Sequence, residues 1–256
     1  MPPFRHAPAL IQTGLLVLTV SGATFALALL SLGFQLPGLA RRDPQDRSIE
    51  FWCSLPVGHA KSVAAMLVAQ IVLLPWLAIV VGLAGGLAAA AVGISLTLGP
   101  LAWLAQPWGL LGVSIAALLL RLTLGLLLAA AWLSPLILLS LAASAWLKRW
   151  GVPVVVALSL VGTLLLDRRL AQPLVAPAFS RLSEETLRAL LQVDSLRELQ
   201  LHSVDQVVVL LRDLPGLLLQ DLVPLLGRAA TPAFLLALAG GALGFALLVL
   251  RRQRGA

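Results

Sequence analysis

The chain alternates between long stretches without charge and short stretches crowded with it. Residues 1–40 carry Arg5 as their one charged residue, and residues 62–147 carry Arg121 alone. A helix needs about 20 apolar residues to cross a bilayer's hydrocarbon core, where the backbone must satisfy its own hydrogen bonds. The pattern therefore predicts an all-α, polytopic transmembrane helix bundle of about five spans, near 9–36, 62–97, 120–147, 150–166 and 232–250. The first run stops at Pro37, Arg41 and Arg42. It imitates a signal peptide, with Arg5 ahead of it and small residues at Ala23, Ala26 and Ala28, but it far exceeds the ~7–15 residue apolar region of such a leader. A retained span is expected.

The block 62–147 has basic residues on both sides, Lys61 before it and Lys148 with Arg149 after it. This implies an even number of crossings, and two long helices fit best. Breakers at Gly99, Pro100, Pro107 and Gly109 place the reversal. Trp103 and Trp108 then fall at one interface and Trp146 and Trp150 at the other, where amphipathic indoles collect. With its helix beginning near Leu120, Arg121 is expected to snorkel from the outer end, because at the bilayer centre it would cost about 2.5–3.5 kcal/mol. Pro75 and Pro135 predict kinks. The pairs Gly82 with Gly86 and Gly240 with Gly244 permit close helix approach, more readily within the chain than between chains.

Residues 167–228 break the pattern, with seven arginines and eight acids. Ser183, Glu184 and Glu185 ahead of Leu187, Leu190 and Leu191 read as a capped amphipathic helix with a Glu184–Arg188 pair. Val204, Val207, Val208 and Leu211 repeat that spacing until Pro215 and Gly216 break it. This segment is expected to lie along the extracytoplasmic membrane surface. Placing 41–61, 148–149 and the C-terminus in the cytoplasm puts nine basic residues inside and nine outside. Seven of the outer nine belong to 167–228, a segment of the length at which the positive-inside rule loses force. The expected topology has the N-terminus outside, the C-terminus inside and the whole chain as one membrane domain.

Composition agrees and narrows the chemistry. The chain of 256 residues is 60% hydrophobic and 11% charged, with a mean hydropathy of +0.99, against roughly 25% charged in soluble domains. The net charge of +7 resides in residues flanking apolar runs. It points to orientation in a lipid bilayer and away from nucleic acid. A single cysteine, Cys53, excludes an internal disulfide, and His6, His59 and His202 lack the spacing of a metal site. Neither a GxxxxGK[ST] phosphate loop nor a nucleophile paired with a base is visible, so no catalysis and no bound cofactor are expected.

The stretch 41–61, RRDPQDRSIEFWCSLPVGHAK, mixes charge, aromatics and proline between two apolar spans. Asp46 or Ser48 can cap a short interfacial helix with Ile49, Trp52 and Leu55 on one side and Arg47 and Glu50 on the other. Taken by itself, such a helix rests on anionic headgroups through Arg41, Arg42 and Arg47. However, Asp46, Arg47, Ser48, Ile49, then Phe51, Trp52, then Ser54, Leu55, Pro56, Val57 resemble the cytoplasmic loop of bacterial ABC-2 type transporter permeases, which reads DRSI, FW, SLPV. Ser144, Ala145 and Trp146 before Lys148 are similar to a second segment of that family. Cys53 stands where the family commonly has lysine, Gly58 and His59 replace a more polar continuation, and the family's first span has no counterpart, so 9–36 would match its second.

The resemblance implies a coupling helix that docks into a groove of a separate ATP-binding subunit through Asp46, Arg47, Phe51, Trp52, Leu55 and Pro56. It also implies ATP and Mg on that partner, a homo- or heterodimer with a second permease, and a place in the bacterial inner membrane. The competing expectation is a non-transporting membrane scaffold or regulator.

Overall fold

The computed structural model describes residues 7–45, 58–147, 150–161, 175–192 and 204–255. Every regular element among them is helical: α1 Ala7–Gln45, α2 His59–Leu67, a π-turn Val68–Leu73, α3 Leu74–Thr97, α4 Pro100–Leu104, α5 Trp108–Leu147, α6 Gly151–Val161, α7 Val175–Leu191, α8 Val204–Gln220, α9 Leu222–Gly227, a 3₁₀ turn Arg228–Ala230 and α10 Pro232–Gly255. Four helices are long and apolar enough to cross a membrane: Ala9–Gln35, His59–Thr97, Trp108–Leu147 and Pro232–Arg254. They correspond to four of the five expected spans. At 150–166 the described helix is the 11-residue α6, and residues 162–166 lie outside the described set.

Two compact units divide the described helices. The first combines Met1–Leu30, Leu73–Gly125 and Gln192–Leu226; the second combines Ser31–Val72, Leu126–Leu191 and Gly227–Ala256. In the first unit α1 and α3 run antiparallel at backbone contact. A Cβ on Gly86 would fall 2.6 Å from Val17 Cα, and one on Gly82 2.7 Å from Ser21 Cα. Thr24 Oγ1 reaches Ala78 O at 3.3 Å across the same seam. Only glycine lets two helix backbones come this close. Val17, Ile79 and Leu83 form a buried cluster with Ile115, Leu118, Leu119 and Leu122 of α5.

The reversal between α3 and α5 is built as the breakers imply. Gly99 has φ +90° and ψ 156°, a region essentially reserved for glycine, and Pro100 opens the short α4. Trp103 and Trp108 meet edge to face at 4.6 Å. Gln106, 5% exposed, ties the turn to α1 with its Oε1 3.0 Å from Thr13 Oγ1.

In the second unit Val63 and Leu67 of α2, Leu141 and Ala142 of α5 and Leu248 of α10 form one buried cluster. The register of α5 against α10 shows that they are parallel. Added Cβ atoms on Gly241 and Gly244 would lie 2.9 Å from Ser134 Cβ and 2.8 Å from Leu138 Cβ, and Arg251 Nε donates to Ala145 O at 3.3 Å. Both partners thus advance together. Pro135, inside α5, lies against Gly240, where an added Cβ would be 3.1 Å from its ring. Trp132 packs on Phe234, edge to face at 5.3 Å.

Three expectations about helix bounds require correction. Helix α5 begins at Trp108, a dozen residues before the expected Leu120, because the chain resumes the helix directly after Pro107, whose carbonyl accepts from Leu111 N at 3.1 Å. Helix α8 continues through Pro215 to Gln220; Pro215 removes one backbone donor, a defect that helix tolerates here. Ser183 is not a cap. It lies mid-way along α7, with its hydroxyl donating to Ser180 O at 2.9 Å, because the apolar start at Val175 extends the helix upstream of the first polar turn.

Candidate functional site

Asp46, Arg47, Phe51, Trp52, Leu55 and Pro56 all lie outside the described residues. What is described is the ground on either side of them: α1 extends to Gln45 and α2 begins at His59. Gly58 precedes α2 in extended conformation, with φ −60° and ψ 146°, and its carbonyl accepts from Lys61 N at 3.0 Å. The first turns of α2 then enter the buried cluster of Val63, Leu67, Leu141, Ala142 and Leu248. The helix that follows residues 46–57 therefore packs in a core that also holds Leu141 and Ala142 of α5 and Leu248 of α10.

That end of the second unit is basic and aromatic. Arg251 and Arg254 lie over the Trp146 ring, with guanidinium carbons 5.9 and 5.5 Å from its centroid. Trp146 Nε1 donates to Leu247 O at 3.5 Å, so the indole is fixed between α5 and α10. Elsewhere in this unit Arg188 pairs with Glu185 at 2.9 Å and with Glu184 at 3.6 Å. The second distance is the i, i+4 pair read from the sequence, and the closer partner is its neighbour. Arg228 approaches Glu185 at 3.8 Å.

In the first unit the structure reveals a polar centre that was misread from the sequence. Arg121 does not snorkel. It is 2% exposed, and Asp221 is 3% exposed. Arg121 Nε donates to Asp221 Oδ2 at 2.6 Å, and Nη2 donates to the backbone carbonyl of Gln192 at 2.6 Å. A guanidinium with neither partner would be expelled from an apolar helix seam; the carboxylate cancels its charge and the carbonyl takes a further N–H. Asp221 stands at the turn between α8 and α9. Pro224 has no N–H for the carbonyl of Gln220, which interrupts the helix there, while Leu225 N still bonds Asp221 O at 3.2 Å.

A lone arginine in an otherwise charge-free helix was the signal for a buried polar partner as the alternative to snorkelling. Its identity was not legible, since eight acids in 167–228 were candidates. Among the described residues no three His, Cys, Asp or Glu side chains could hold a metal ion. Trp132 Nε1 and Ser134 Oγ are buried without a hydrogen-bond partner, both on the stretch of α5 that packs on α10. No family model, curated protein or solved structure matches the chain.

Proposed function

We propose that this chain is the permease subunit of a bacterial ABC-2 type ATP-driven exporter of the inner membrane. It would work as a homo- or heterodimer with two ATP-binding subunits. The observation that carries the reading is the run Asp46, Arg47, Ser48, Ile49, Phe51, Trp52, Ser54, Leu55, Pro56, Val57 between two apolar helices. The chain has no phosphate loop of its own, so energy must reach it mechanically. Buried aromatics dominate interface energies, and Phe51 with Trp52 would anchor the loop in a groove of the ATP-binding subunit. ATP and Mg belong to that partner.

The packing around α2 supports such a role. A pull on the loop acts on Gly58 and then on α2, whose Val63 and Leu67 share one core with α5 and α10. Interiors are close-packed and transmit strain, so displacement of α2 must be answered by the helices around it. The test is coexpression with an ATP-binding-cassette subunit from the same genome. Phe51→Ala with Trp52→Ala is expected to abolish copurification and the stimulation of ATP hydrolysis, while the chain still inserts in the membrane. Unchanged copurification overturns the proposal.

A further inference from the structure

The last turns of α10 carry Arg251, Arg252 and Arg254 with no acid among them. Two of these guanidinium groups share one indole: Arg251 and Arg254 both lie within 6 Å of the Trp146 centroid. Neither pairs with a carboxylate of the described residues. The ring attracts each cation through its quadrupole, yet the two repel each other, and no acid of the described residues offsets that repulsion. An anion held between them would.

The surroundings select the kind of anion. Leu147, next to Trp146 in the chain, is 44% exposed and Leu250, next to Arg251, is 45% exposed, so the immediate chain neighbours of the site are apolar. It lies at the end of α5 and α10, both long enough to cross a bilayer. Indoles at such a level belong to the membrane–water interface, and basic pockets between membrane helices take lipid headgroups. A soluble acid would leave the leucines in water, whereas a phosphate carrying acyl chains covers them.

We propose that Arg251, Arg254 and Trp146 form a binding site for the phosphate headgroup of an anionic phospholipid, with Leu147 and Leu250 available to its acyl chains. The site requires that α5 and α10 cross a bilayer and is independent of any ATP-binding partner.

The test uses the full chain reconstituted in vesicles of three parts phosphatidylcholine to one part phosphatidylglycerol. The protein is then extracted in mild detergent, and the phospholipid that stays with it is identified by mass spectrometry. Phosphatidylglycerol should be enriched roughly tenfold over its share of the vesicle, the order that one or two basic side chains near an anionic headgroup supply. Arg251→Gln with Arg254→Gln should return it to its share. Arg254→Gln alone, at an exposed position that folding tolerates, should lower it several-fold. Trp146→Leu, which keeps both charges, should also lower it.

Arg181→Gln with Arg212→Gln removes two exposed arginines elsewhere and should change nothing. Equal retention of the two lipids overturns the site. So does a loss in the Arg181/Arg212 variant as large as in the Arg251/Arg254 variant, which would mark a diffuse charge effect. Displacement of the lipid by millimolar inorganic phosphate would show that the arginines select a free anion, which overturns it.

Discussion

Arg121 and Asp221 form the most consequential pair at the scale of single residues. Both are almost wholly buried, and a buried ion pair that loses one member leaves the other uncompensated at a cost of about 3–5 kcal/mol. Asp221→Ala is expected to destabilise the chain by that order in detergent unfolding. Arg121→Met with Asp221→Leu should restore much of the loss, because an apolar pair of similar volume pays no desolvation. A double variant no better than Asp221→Ala would contradict this account. Gly99 offers a second test. At φ +90° an alanine is strained, so Gly99→Ala should cost about 1–3 kcal/mol. Gly112→Ala, in a helix with nothing within 4 Å of the new Cβ, should be neutral or stabilising by up to about 1 kcal/mol.

At the scale of elements, two glycine seams organise the helices, α1 on α3 and α5 on α10. Gly86→Val and Gly244→Val place side-chain atoms where backbone already lies, and each should cost about 1–3 kcal/mol or more through overpacking. Gly33→Val on α1, with open space around it, should be tolerated; comparing thermal unfolding of the three variants distinguishes seam from surface. The seams were legible as Gly82 with Gly86 and Gly240 with Gly244, since small residues four apart lie on one helix face. Which helix each seam meets was not, because spacing along one helix carries no information about its neighbour. The π-turn Val68–Leu73 was likewise hidden. Pro75 has no N–H for the carbonyl of Ile71 one turn upstream, but a kink, a break and a widened turn all answer that loss.

At the scale of the whole molecule, parallel packing of α5 and α10 has a topological consequence. Two membrane helices can run parallel only if the chain between them recrosses an odd number of times. The apolar stretch 150–166, of which α6 is the described part, is the segment available for it. In a Cys53→Ser background, Gln253→Cys is expected to label from the same membrane side as native Cys53 does in the unaltered chain, with Leu104→Cys and Leu170→Cys labelling from the other. Leu170 labelling from the side of Cys53, with Gln253 labelling from the side of Leu104, would remove the fifth span. The six coupling-loop positions rest on the sequence resemblance alone, so labelling of Cys53, beside Trp52, bears directly on the function proposed for them.

The amino-acid order alone determined that this is an all-helical membrane bundle, where most spans fall and where the chain reverses, because charge and backbone polarity are expensive in hydrocarbon wherever they occur. It also placed the loop that carries the functional resemblance. Tertiary structure alone decided that Arg121 stays inside against Asp221 and that Arg251 and Arg254 converge on Trp146. Each of these depends on partners about a hundred residues away in the chain. Hydropathy is a property of a residue and its near neighbours, whereas the compensation of a charge belongs to whatever the fold brings beside it.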